Sequence, residues 1–186
     1  MIFDSDDFGY NHVISDMCQS HDCRDILLKL KEAQPNFKAT LFTIPAYMTQ
    51  ELLTWFINNE EWIELALHGF THSSNYECEQ MTYKEFDRLV NKYNPLRWWY
   101  VKGFKAPGWQ ISDDIYQWLL DNDWWVADQE YNDGRRPKNL KMYKVGENSV
   151  HTHTWDTVGN GVYELFDQLL EKVKTYDEWE FISDIV

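Results

Sequence analysis

Cysteine is scarce, with three in 186 residues: Cys18, Cys23 and Cys78. So sparse and odd a set argues for reduced thiols and against a disulfide framework. Cys18, His21 and Cys23 lie close enough to suggest zinc. Their spacing matches no closed four-ligand pattern, and a loop running into a helix is expected there. Basic residues are also few, 17 Lys and Arg against 31 Asp and Glu, for a formal net charge of −14. So acidic a surface repels phosphate backbones and anionic lipid heads, so neither nucleic acid nor a membrane is an expected partner. No stretch approaches the roughly 20 apolar residues of a spanning helix. The opening MIFDSDDFGY has no basic n-region and no apolar h-region. No signal peptide is expected, and the site of action expected is the cytoplasm or elsewhere inside the cell. Internal repeats, low-complexity tracts and Gly/Ser linkers are missing too, and residues 1–186 read as one domain.

What is present suits a packed core. Hydrophobic residues make up 44% of the chain, aromatics 17%, and there are 10 Trp. Some rings belong to the core, but the surplus also suits a site that stacks on sugar rings. Short apolar runs alternate with helical ones. MIFD, Phe37–Pro45, Trp62–Leu67, Trp98–Phe104, Trp124–Ala127, Met142–Val145, Ser149–His153 and Phe181–Val186 read as strands. Between them, Asp22–Gln34, the segment capped by Thr49, the capping box Thr82–Glu85, the segment capped by Ser112, and Gly161–Lys174 read as helices. Strands that alternate with helices form a mostly parallel sheet, because parallel neighbours need crossover connections. An open doubly wound sheet and a small irregular barrel both satisfy this pattern. In either, ligands sit at the carboxyl ends of the strands.

Four clusters follow strands directly. Asp4-Ser5-Asp6-Asp7 places three carboxylates in four residues, which repel one another unless a cation or proton sits among them. His68-Gly69-Phe70-Thr71-His72 spaces two imidazoles at i and i+4, one side of a helical turn, where they can grip one metal ion. Lys105-Ala106-Pro107-Gly108-Trp109 is a turn that offers a cation, a backbone N–H and an aromatic wall. His151-Thr152-His153-Thr154-Trp155-Asp156 puts two imidazoles on one face of an extended strand.

The order of these clusters resembles the polysaccharide deacetylase family, metal-dependent de-N-acetylases with the NodB homology fold. The resemblance runs from Asp6 to His153 and is strongest at Leu67-His68-Gly69-Phe70-Thr71-His72, with Ala39–Ile44 preceding it. It implies an α/β fold, an irregular barrel of about seven mostly parallel strands ringed by helices. It also implies one divalent metal, zinc first and cobalt, nickel or manganese as alternatives, held by Asp7, His68 and His72. Asp6 then takes the role of general base, with Gly108 N–H as oxyanion donor. Asp128 orients the late histidine, and His153 is the general acid with His151 as the alternative. Trp109, Trp155 and His151 fall to substrate binding. The family's Arg-x-Pro turn is Lys105-Ala106-Pro107 here, and a lysine keeps the charge without the guanidinium fork. Asp4 is expected to be structural or peripheral. The implied activity is hydrolysis of a carbon–nitrogen bond other than a peptide bond, freeing N-acetyl (or O-acetyl) groups from an acetylated sugar or oligosaccharide. A hydrolase of non-sugar linear or cyclic amides, and a metal-binding homologue with weakened turnover, are the rival expectations.

Overall fold

The computed structural model describes residues 1–9, 13–15, 18–19, 22–93, 99–146, 148–154 and 161–186. The described residues contain a seven-stranded sheet in the order β8-β7-β6-β5-β4-β1-β9. Its strands are β1 (Ile2–Phe8), β4 (Ala39–Thr43), β5 (Ile63–His68), β6 (Tyr100–Lys105), β7 (Trp125–Asp128), β8 (Met142–Lys144) and β9 (Ser149–His153). Every neighbouring pair is parallel. The sheet curls into a half-barrel with helices packed outside it, as in the NodB-like (β/α)7 barrel. Two short strands, β2 (Val13–Ser15) and β3 (Cys18–Gln19), pair antiparallel apart from it.

The helices are α1 (Arg24–Ala33), α2 (Gln50–Ile57), α3 (Tyr83–Lys92), α4 (Asp113–Asp121) and α5 (Phe166–Lys174). Three begin at the caps read from the sequence. Thr49 accepts from Leu52 N–H, Ser112 accepts from Ile115 N–H, and Thr82 with Glu85 closes a reciprocal capping box. α5 starts at Phe166 rather than Gly161, because Gly161 bridges to His153 at the end of β9.

Strand alternation sorts side chains into layers. Phe3, Leu41, Leu65 and Val150 point outward and pack with Ile26, Leu27, Leu30, Leu52 and Leu169 of the helices. Leu67, Phe104 and Val126 do the same under α3 and α4. Inside the barrel lie Ile2, Phe42, Ala66, Trp125, Ala127, Tyr143 and Ile182. Trp118, Trp124 and Trp125 are all buried, so these rings belong to the core, while Trp98 lies outside the described residues.

The expected closing strand over Phe181–Val186 does not form. Ile182–Asp184 is a 3-10 turn that seals the barrel's amino end. Its first two amides go to side chains and not to a neighbouring strand: Ile182 N–H donates to Thr40 Oγ1 (3.1 Å) and Ser183 N–H to Glu64 Oε1 (3.2 Å).

Candidate active site

The carboxyl ends of β1, β5, β6 and β9 meet at one mouth of the barrel, and each delivers ionisable side chains there. On β1 the even positions face inward. Asp4, Asp6 and Asp7 are all nearly fully buried. Simple alternation would send Asp6 and Asp7 to opposite faces. The β1–β4 register slips between Ser5 and Phe8, and Asp7 takes φ +66°, a left-handed conformation. This irregularity turns both carboxylates into the mouth, a re-aiming typical of β-bulges beside active sites.

Asp7 meets the two histidines of the second cluster. Its Oδ1 lies 3.4 Å from His68 Nε2 and 3.2 Å from His72 Nε2, and all three side chains are buried. The i, i+4 spacing works here without a helix. His68 is the last residue of β5, and Gly69 (φ +58°) and His72 (φ +48°) turn the chain back. Glu77 holds that turn by accepting from the N–H groups of Phe70, Thr71 and His72 at 2.9–3.2 Å. A side chain at Gly69 would place its Cβ 2.5 Å from Glu77 Oε2 and 2.7 Å from Pro107 Cγ, so the close approach requires glycine. Glu77 left no mark in the sequence, since nothing in the spacing of an exposed-looking Glu reports the amides it accepts from.

The trio suits a divalent metal. One carboxylate and two imidazoles are a catalytic zinc donor set that leaves positions open. His68 Nδ1–H donates to the Lys105 carbonyl (3.1 Å), which leaves the Nε2 lone pair facing Asp7. His72 Nδ1 is buried with no hydrogen-bond partner among the described residues, and Nε2 is its inward atom. Burial and the neighbouring His68 depress the His72 pKa, favouring the neutral ring a metal needs.

Asp6 is held differently. Lys105 is 1% exposed, and its Nζ lies 2.7 Å from Asp6 Oδ1 and 2.6 Å from Oδ2. Burial opposes ionisation of Asp6. The Lys105 ammonium, then His68, His151 and His153, outweigh it and keep the carboxyl far below the usual carboxylate range. Asp6, His151 and His153 form a second group of metal-ligand type. The Lys105 ammonium already neutralises Asp6, so the Asp7 group is the better metal seat.

The β1–β9 register sets Asp4 opposite His151 and Asp6 opposite His153. The two rings share the inner face, with centroids 5.0 Å apart. His151 Nδ1–H donates to Asp4 Oδ1 (2.5 Å), and Tyr143 OH donates to Asp4 Oδ2 (3.0 Å). Asp4, which the sequence left as structural or peripheral, is therefore fully buried behind a site histidine. His151 Nε2 lies 3.9 Å and His153 Nε2 3.7 Å from Asp6 Oδ2. Burial lowers the His153 pKa.

Asp128, expected behind the late histidine, stands elsewhere. Lys105 and Ala127 are register partners on the inner face, and alternation sends Asp128 outward. There it accepts from Tyr116 OH (2.5 Å), Asn132 Nδ2 (2.8 Å) and Arg136 Nη1 (3.2 Å). Gly108 (φ +56°) is exposed at the mouth, and a Cβ there would come within 2.7 Å of the Asn75 carbonyl. Trp109 (φ +62°) lays its ring 4.2 Å from Lys105 Nζ. Trp155 and Asp156 lie outside the described residues, as does His21, so the Cys18–His21–Cys23 group is not seen. Cys23 is buried, and burial pushes its thiol pKa up, which suits an inert core thiol.

No protein-family model and no curated protein matches the chain. Solved structures do. A family 4 acetyl xylan esterase from Clostridium thermocellum, in complex with a cobalt ion, superposes with a TM-score of 0.65 at 14% identity, covering 98% of this chain and 88% of that one. A peptidoglycan N-acetylglucosamine deacetylase in complex with an N-hydroxybenzamide has a TM-score of 0.62 at 16% identity, covering 99% and 86%. A CE4 family pseudoenzyme from Bacillus anthracis has 0.61 at 12%, covering 99% and 64%. The chain thus has the polysaccharide deacetylase fold.

Proposed function

We propose that this chain is a metal-dependent hydrolase that removes N-acetyl groups from a carbohydrate. One observation carries the reading: a buried Asp6, paired with Lys105, stands in the same barrel mouth as the Asp7–His68–His72 trio. The named activities of the similar structures, acetyl xylan esterase and peptidoglycan N-acetylglucosamine deacetylase, support deacetylation of a carbohydrate, and the second supports N-acetyl as the group removed.

The chemistry needs a nucleophile, an oxyanion donor and an acid. Asp7, His68 and His72 would hold the divalent ion, which when bound supplies Lewis acidity and lowers the pKa of water. Zinc fits the donor set, and cobalt, nickel and manganese are the other candidates. Asp6, kept ionised by Lys105, accepts the proton of the attacking water through the oxygen nearest the substrate. The carbonyl oxygen gains negative charge as its carbon becomes tetrahedral, and Gly108 N–H at the exposed turn donates to it. The nitrogen must take up a proton before the C–N bond breaks. We assign that proton to His151 Nε2, because Asp4 accepts from Nδ1–H and so fixes the ring with Nε2 turned toward Asp6, whereas burial disfavours a charged His153. Acetate and a free amine leave.

A catalytically weakened homologue is the second reading, favoured by Lys105 in place of the family's arginine and by a pseudoenzyme among the similar folds. Acetate release from an N-acetylglucosamine pentamer, with zinc added to the purified protein, separates the two. Turnover that Asp6→Asn removes while zinc stays bound is the expected result. Stoichiometric zinc without acetate from any acetylated sugar, xylan included, would establish the weakened homologue.

A further inference from the structure

We propose that Trp109 is a positioning residue that acts through Lys105, part of an aromatic seat that compensates for the missing guanidinium fork. This rests on the reading of Asp6 as base and goes beyond it. An ammonium is a point charge on a four-carbon stem with rotating donors, so by itself it aims poorly. Here its surroundings aim it. The Asp6 carboxylate takes Nζ on one side, at 2.6 and 2.7 Å. The Trp109 ring centroid lies 4.2 Å and the Phe42 centroid 4.9 Å from the same atom. Both fall within cation–π range, and the interaction is strongest where water is excluded, as around this 1% exposed lysine.

The turn is built to deliver that ring. Gly108 and Trp109 are consecutive left-handed residues, an uncommon conformation for a tryptophan. Such strain persists only where the surroundings hold it. Trp109 N–H donates to the Ala106 carbonyl (3.0 Å), and the Trp109 carbonyl accepts from Asn132 Nδ2 (3.3 Å). Asn132 is itself buried and fixed by Asp128 Oδ1 (2.8 Å). Asp128 therefore bears on the site from outside the barrel, through Asn132 and the turn. The ring that the sequence suggested as a substrate wall also lies against the cation.

Three measurements test this. The first is amine labelling by reductive methylation of the metal-free protein, read by mass spectrometry at Lys105. Lys105 should resist labelling in the parent and in Trp109→Phe, and lose that protection in Trp109→Leu. The second is the split of kinetic constants on the N-acetylglucosamine pentamer. Trp109→Leu should lower kcat on the order of a hundredfold, the scale of a small misplacement of catalytic groups, with KM little changed and with rescue by Trp109→Phe. The third repeats Trp109→Leu in a Lys105→Arg background. A guanidinium brings its own fork, so the same change should cost far less there. Unchanged Lys105 protection in Trp109→Leu, a loss confined to KM, or an equal loss in both backgrounds would overturn the proposal. If the chain proves inactive, the labelling still decides it, so the failure of the catalytic reading and of the aromatic seat remain distinguishable.

Discussion

At the scale of single residues, the site is a set of ionisable side chains, each held by its own partners. Asp6 has an ammonium, Asp7 has two imidazoles, and Asp4 has an imidazole and the Tyr143 hydroxyl. Burial together with Asp4 pushes the Tyr143 pKa up, so its hydroxyl stays a donor. The Asp4–His151 pair repeats the arrangement in which a buried carboxylate sets a histidine's tautomer, and loss of that setting is costly in hydrolases. Asp4→Asn and His151→Ala are each expected to lower kcat by about 10²–10⁴, the usual share of general acid–base help. Zinc content, checked by elemental analysis, should not change. A His153→Ala protein without turnover, beside a His151→Ala protein with the parent rate, would move the acid to His153.

At the scale of elements, two irregular pieces of backbone carry most of the consequence. The first is the slip in β1 that lets neighbouring aspartates serve different partners. The second is the turn after β5. Its amides are gathered by Glu77, and its path places His72 beside Asp7. Glu77 bonds to neither the ring nor the carboxylate of any candidate metal ligand, and it reaches His72 through the backbone N–H. Groups of this kind usually matter to metal affinity by about 10–100-fold. Glu77→Ala should weaken zinc binding by about that factor, measured by titration of the metal-free protein against a competing chelator. Affinity equal to the parent would show that Gly69 and the sheet hold the turn unaided.

At the scale of the whole molecule, the barrel has a working end and a closed end. Residues Ile182–Asp184 seal the closed end over the buried Glu64, which accepts from Thr40 Oγ1 (2.6 Å) and Ser183 Oγ (2.5 Å). Burial raises the Glu64 pKa more than these bonds lower it. A carboxyl raised in the folded state binds more protons folded than unfolded. Its contribution is complete below the unfolded value of about 4.3 and is lost as pH rises through the folded value. Glu64→Gln removes the ionisation and keeps an acceptor oxygen. The variant should therefore melt above the parent at pH 8, with the difference shrinking as the pH falls toward 4. Melting curves across that range check the sign, and a variant less stable at pH 8 would mean that the charge itself holds the seal. No described helix is long and apolar enough to cross a membrane.

The amino-acid sequence by itself determined the alternation of strands and helices, the caps at Thr49, Thr82 and Ser112, and which segments follow strands. These are local matters of periodicity, side-chain chemistry and turn residues, and they were enough to put Asp6, Asp7, His68, His72, Lys105 and His153 at strand ends. Tertiary structure decided what each of them faces. Asp128 faces Tyr116 and Arg136 because strand alternation, not proximity in sequence, selects the side of the sheet. Asp4 meets His151 because β1 and β9 pair in one register across 147 residues of chain. The segment after Phe181 turns aside because Thr40 and Glu64 take its amides, a competition that no window of local sequence contains. Register, face and long-range hydrogen bonding are set by which distant segments pair in the curled sheet, and so they become visible only when the half-barrel is formed.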